Sequence, residues 1–195
     1  WGQSTDVVYQ FCRQSSHAGV ILPSHGRYVG ASSKPMTEYR KQQGDRLGFN
    51  WIIPNVAGKR AIRHVIYDTN YWKSFIHARL AVPVGDKGSL TLYGRIPGAH
   101  QLFAEHLTAE YRVKTQGRGR TVDEWKLKPQ SHDNHFLDCV AGCAVCGSML
   151  GASLPETLPA KLDRKPMIRL SDKRLGGIPP NGRLKLSELR RQKNG

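Results

Sequence analysis

The stretch Ser131-His-Asp-Asn-His-Phe-Leu-Asp138, running straight into Cys139-Val-Ala-Gly-Cys-Ala-Val-Cys-Gly-Ser-Met-Leu150, decides how this chain is read. Two imidazoles and two carboxylates stand within eight residues, at the entrance to a small-residue segment that favours burial. The pattern predicts a closing helix from about Asn134 to Leu150. His135 and Asp138 are three apart, so they share one face of that helix. A carboxylate at the mouth of an apolar helix is expensive to desolvate unless a cation meets it, and a divalent metal is the obvious cation. In the competing reading Asp133 is an N-cap and Asp138 lies in the first turns, both favoured by the helix dipole. Spacing alone leaves both readings open.

Working outward, Cys139, Cys143 and Cys146 follow helical spacing beside Ala, Val and Gly. They read as reduced, buried, small apolar side chains rather than as a zinc site. The four cysteines make no disulfide framework, which implies a reducing compartment. Upstream, Glu110–Thr115 and Thr121–Leu127 flank Gln116-Gly-Arg-Gly-Arg120, a basic β-hairpin. Arg112 and Lys114 lie on one strand, Arg118 and Arg120 at the tip, and Lys126 and Lys128 on the other side. Such an element can lie along a phosphate backbone, or can simply be a solvated hairpin.

Ile62–Tyr67 has strand composition and ends in Asp68-Thr-Asn, a helix cap. Trp72, Phe75, Ile76, Arg79 and Leu80 follow at helical spacing, making a β-to-α unit. Asp68 is either that cap or an acid facing a site at the strand end. Lys73, one turn into the helix, reads as a solvated lysine or a phosphate contact. Gly48–Ile53 and Ser89–Tyr93 also read as strands, Gly98–His106 as a short helix, and Val20–Pro23 as a short buried strand. Thr5 or Asp6 caps a first helix with Val8, Phe11 and Cys12 on its apolar face. Ser24–Asp45 is polar without a period, hence a long loop of the kind that is often functional.

Thirty Lys and Arg oppose fifteen Asp and Glu, a net charge of +15, which favours a polyanionic partner such as nucleic acid. Eleven of the basic residues and four of the acids lie after Leu150, leaving nineteen against eleven before it. The body is therefore basic in its own right. Residues 151–195 are rich in proline, glycine and charge without a period, and are expected to form a basic, largely disordered tail. The chain opens Trp1-Gly-Gln without a signal pattern, as a piece of a longer polypeptide would. No apolar run approaches the roughly 20 residues that span a bilayer, so a soluble protein without a membrane partner is expected.

The order of these elements, and the stretches Thr5-Asp-Val-Val-Tyr-Gln-Phe-Cys-Arg13, Tyr67-Asp-Thr-Asn-Tyr-Trp-Lys73 and Asp133-Asn-His-Phe-Leu-Asp-Cys139, resemble the C-terminal nuclease part of the large terminase subunit of lambda-type tailed phages, the GpA-type family. The likeness covers residues 1 to about 150. It implies an α/β, RNase H-like nuclease fold, here incomplete and lacking its first strands, that cuts double-stranded DNA during packaging. Such nucleases hold two divalent ions about 3.5–4 Å apart on clustered carboxylates. Mg²⁺ or Mn²⁺ suits an all-oxygen site, and His135 as an extra ligand favours Mn²⁺. By resemblance Asp138 and His135 are catalytic and hold metal; Asp133 is a second ligand or only the cap, and Asp68, from its place at the strand end, is a further candidate ligand or the cap of its helix.

The family's earlier acids are expected upstream of Trp1, which would leave this chain inactive alone. Gly85-Asp-Lys-Gly-Ser lacks the spacing of a phosphate loop, so no ATP site is expected here and the ATPase lies elsewhere. The implied partners are duplex DNA, the small terminase subunit and the procapsid portal, in the cytoplasm of a bacterial host. Two alternatives stay open: a non-catalytic DNA-binding or packaging-assembly module, and a resolvase-type nuclease of the same fold.

Overall fold

A computed structural model of the chain describes residues 5–56, 62–96, 98–131 and 133–152. The expected tail, apart from its first two residues, lies outside them. Among the described residues no helix is long and apolar enough to cross a membrane. The chain is mixed α/β: α1 (Thr5–Gln14), β1 (Ser24–Arg27), β2 (Arg46–Gly48), β3 (Trp51–Ile53), β4 (Val65–Asp68), α2 (Thr69–Leu80), α3 (Gln101–Leu107), β5 (Glu110–Gly117), β6 (Arg120–Leu127) and α4 (His135–Met149).

One sheet runs β1-β4-β3-β2, with β1 parallel to β4 and the other neighbours antiparallel. The expected strand Gly48–Ile53 is in fact a hairpin: Asn50 takes φ 55 and turns β2 into β3. Gly48 is required there, because a Cβ would meet the Trp51 ring at 2.0 Å. Alternation along β3 and β4 sends Trp51, Ile53, Val65 and Tyr67 to one face, where Trp72 of α2 and Ala141 and Val145 of α4 complete the core. Trp51 Nε1 donates to Ser148 Oγ at 3.1 Å and Trp72 Nε1 to the Asn50 carbonyl at 3.2 Å, so the large rings lose no hydrogen bond on burial.

Several expectations need correcting. The strand starts at Ser24, one residue beyond the apolar run Val20–Pro23, and Val20 is exposed. β1 is an edge strand held by its backbone pairing to β4, so its sequence needs no apolar pattern. Ser89–Tyr93 is not a strand; it has no partner strand among the described residues, and the Leu90 amide donates to the Arg79 carbonyl instead. Cys139, Cys143 and Cys146 are exposed, not buried. The helix buries the other stripe, Leu137, Ala141 and Val145, spaced four apart. On α1 only Cys12 is buried, and Phe11 lies exposed.

The hairpin is found as expected, and β5 and β6 pair from Glu110↔Leu127 to Gly117↔Arg120. It docks on α2 through Trp125. That ring stacks on His77 at 4.1 Å, its Nε1 donates to Ser74 Oγ at 2.8 Å, and its backbone amide donates to Asn70 Oδ1 at 2.9 Å. This docking sets the start of β5 beside the first turns of α2 and α4.

Candidate active site

Asp68 ends β4 and caps α2, its Oδ1 accepting from the Tyr71 amide at 3.2 Å. One turn on, Lys73 lies on the buried side of α2 with Trp72 and Ile76. Its Nζ is 2.6 Å from Glu110 Oε1 and 2.9 Å from Asp138 Oδ1. The lysine and glutamate side chains are 9% and 5% exposed, whereas Asp138 is 47% exposed and opens the cluster to solvent. Asn134, the residue preceding α4, donates its side-chain amide to the same Glu110 Oε1. Glu110 Oε2 is buried without a hydrogen-bond partner among the described residues.

Three elements thus converge on one ammonium and two carboxylates. The cluster carries a net negative charge, an unspent acceptor and one solvent-facing side. The sheet feels this charge: burial first, and then the Asp138 carboxylate, push the Tyr67 hydroxyl up to about 12. Asp68 is raised to about 6, chiefly by burial, against the opposing hydrogen bonds from the Tyr71 and Asn70 amides. Burial likewise lowers His77.

The four acids and imidazoles expected to hold metal divide among three separate partnerships. Asp68 serves the cap. Asp133 Oδ1 lies 3.2 Å from His135 Nε2, with both side chains exposed. Asp138 pairs with Lys73. His135 and Asp138 do share the first turn of α4, but they engage different groups; His135 meets the His106 ring edge-on at 6.0 Å. Among the described residues no group of three or more His, Cys, Asp or Glu is placed to hold a metal ion. Asn134, not Asp133, is the residue before the helix, and its side chain makes no cap hydrogen bond.

Glu110 and Lys73 carry the cluster, a role that sequence reasoning gave to neither. They are 37 positions apart, so no local spacing joins them. Lys73 did carry a signal: it falls three before Ile76, inside the stripe that α2 buries. A lysine buried there needs an anionic partner.

The basic residues expected on the hairpin do not form one patch. Alternation puts Arg112 and Lys114 on one face of the ribbon and Arg120 and Lys126 on the other. Arg112 pairs with Asp123 at 3.4 Å. Arg120 turns inward and donates to the carbonyls of Gly30, at 2.7 Å, and Ser33. Arg118 is exposed at the tip with φ 50, and Lys128 follows β6, its amide donating to Ala109.

A divalent ion fits this cluster in part. Hard cations such as Mg²⁺ take one or two carboxylates and complete their shell with water and substrate phosphate. Glu110, with its spare oxygen, and the half-open Asp138 are two such carboxylates, but both already meet the Lys73 ammonium and no third ligand joins them among the described residues.

No curated protein and no solved structure matches the chain. A family model for the endonuclease domain of the terminase large subunit gpA matches residues 1–157, so the chain belongs to that family.

Proposed function

We propose that this chain is the metal-dependent endonuclease part of a phage DNA-packaging terminase, which when complete cuts duplex DNA in the host cytoplasm. The single observation that carries the reading is the convergence of Glu110 and Asp138 on Lys73, with the second Glu110 oxygen left without a partner among the described residues. Glu110 and Asp138 would hold a Mg²⁺ or Mn²⁺ ion. When bound, such an ion supplies Lewis acidity toward a phosphoryl oxygen. Lys73 and Asn134 orient Glu110, and the open side of Asp138 admits the phosphodiester. The family's two-ion scheme needs further carboxylates, and Asp68 and Asp133 remain the candidates, with His135 beside Asp133. A chain with one carboxylate pair is expected to leave DNA intact by itself.

The mixed sheet, with β1 parallel to β4 and α2 following β4, is compatible with an RNase H-like assignment. The ATPase, the small subunit and the portal belong to the rest of the packaging machine in this reading. A non-catalytic DNA-binding module is the second reading, favoured by the cap that Asp68 makes.

Asp138→Asn in the complete terminase tests the choice, since it keeps the shape and removes the charge. Plasmid nicking in Mg²⁺ or Mn²⁺ should fall at least a hundredfold, roughly the loss typical for removing a group that stabilises developing charge, while thermal unfolding barely moves. Undiminished nicking would assign Asp138 to a purely structural pair.

A further inference from the structure

The loop between β1 and β2 is held rigid from outside itself. Asn70 Nδ2 donates to the Val29 carbonyl at 3.2 Å, Arg120 to those of Gly30 and Ser33, and Glu124 Oε1 accepts the Ala31 amide at 3.1 Å. Val29 and Ala31 are 1% exposed, and Met36, in a single 3₁₀ turn, is also buried. Three polar side chains from α2 and the hairpin are thus spent on fixing a loop whose outer face is basic. Its outer end is closed by Asp45, whose two oxygens accept from the Gln42 and Asn55 amides at 3.0 and 2.7 Å.

Between these anchors lies an open groove of ≈ 520 Å³, lined by Lys34, Tyr39, Arg40, Gln42, Asp45 and Asn55 among others. Lys34 and Arg40 are exposed and form no ion pair among the described residues. The Asp45 carboxylate also lines it, kept ionised and turned inward by its two backbone donors, so Lys34 and Arg40 outnumber it as the groove's charges. Arg27 Nη1 donates to the Tyr39 hydroxyl at 3.2 Å, which steadies the ring at the groove wall. From Ser24 to Arg46 the segment carries Arg27, Lys34, Arg40, Lys41 and Arg46 against Glu38 and Asp45.

We infer that this groove is a phosphate-backbone contact for duplex DNA, separate from the hairpin, with Lys34 and Arg40 as its cations. Unpaired cations on an ordered surface can neutralise phosphates at little ordering cost. A flexible acidic peptide would need no such rigidity. The inference rests on the nuclease reading for its substrate, but not on catalysis. The β5–β6 ribbon presents Arg118 at its tip while its Arg120 braces this loop, so one arginine faces outward and the next builds a second contact.

The test is fluorescence anisotropy of the full chain with labelled duplexes of unrelated sequence, in EDTA, over a range of salt. Lys34→Ala with Arg40→Ala should weaken both duplexes alike and flatten the slope of log K against log salt by roughly 1.8, at about 0.9 for each phosphate no longer neutralised. Lys34→Arg with Arg40→Lys should restore the slope. Both side chains are exposed, so folding should be untouched, as circular dichroism would verify. An unchanged slope, no duplex binding by the wild-type chain, or preference for poly-glutamate over duplex would each overturn the inference. Because EDTA removes divalent ions from the assay, none of these outcomes decides whether the complete terminase cuts; the Asp138→Asn assay decides that separately.

Discussion

Lys73 Nζ lies 2.6 Å from Glu110 Oε1 with both side chains at least nine-tenths withdrawn from solvent, joining the second helix to the first residue of the hairpin. The desolvation cost of such a pair is met only while both charges are present. Lys73→Met should therefore destabilise the chain by about 3–5 kcal/mol, because it leaves the Glu110 carboxylate buried and unpaired. Lys73→Met with Glu110→Leu should recover most of that stability, since an apolar pair needs no solvation. Urea unfolding of the two variants reads the difference; a single variant within about 1 kcal/mol of wild type would show the pair is solvated.

Asp68 makes a different prediction, one about pH. Its folded value, about 6, lies above its ordinary 3.8, chiefly because burial disfavours the charged carboxylate. The sign follows from linkage: the folded state binds the proton more tightly, so this contribution is complete below the unfolded value and is lost as pH rises through 6. The shift corresponds to roughly 3 kcal/mol at most. Asp68→Asn keeps an oxygen for the Tyr71 amide, because asparagine caps as well as aspartate. The variant should therefore match wild type near pH 4 and exceed it in stability at pH 8. Nicking by the complete terminase adds a second readout. A cap leaves it unchanged, whereas a metal ligand at Asp68 makes it fail.

The parts of this fold legible in the sequence are those whose signals are local. Asp68-Thr-Asn announced both a strand end and a cap, and Gly117 to Arg120 announced a hairpin turn. The site was less legible because its partners are distant. Asp138 was visible at the helix entrance, but the side chain that meets it comes from residue 73, which is held in turn by residue 110. The loop after β1 looked irregular because its order is imposed by Asn70, Arg120 and Glu124, none of them near it in the chain. For the cysteines, helical spacing correctly put them on one stripe but did not say which stripe is buried. Leu137, Ala141 and Val145 form an equally regular stripe, and Leu137 and Ala141 are 0% exposed.

That assignment has a chemical consequence. Cys139, Cys143 and Cys146 are exposed while Cys12 is buried. A native chain treated with an aromatic disulfide reagent should release three equivalents quickly, and the fourth only on unfolding. Replacing the three exposed cysteines with serine should change stability by less than about 0.5 kcal/mol each, as for surface positions without special roles. Slow reaction of all four would mean that this face of α4 is covered in solution.

Arg118 and Arg120 stand two residues apart at the hairpin tip and should behave in opposite ways. Arg118 takes φ 50 and is exposed, followed by Gly119 at φ 73. This is the left-handed pair that a two-residue hairpin turn requires, and asparagine fits its first position better than arginine. Arg118→Asn should thus stabilise the chain by about 1 kcal/mol, yet reduce the salt slope of duplex binding if the tip meets a phosphate. Arg120 holds the Gly30 and Ser33 carbonyls, so Arg120→Ala deletes two charge-assisted hydrogen bonds and should cost about 1–3 kcal/mol, although the Gly30 carbonyl keeps the Ser33 amide at 3.0 Å. Its effect on DNA should appear mainly through the loop it braces: Arg120→Ala should add little to the flattening already produced by Lys34→Ala with Arg40→Ala. Fully additive slopes in the triple variant would make Arg120 a phosphate contact in its own right rather than a brace.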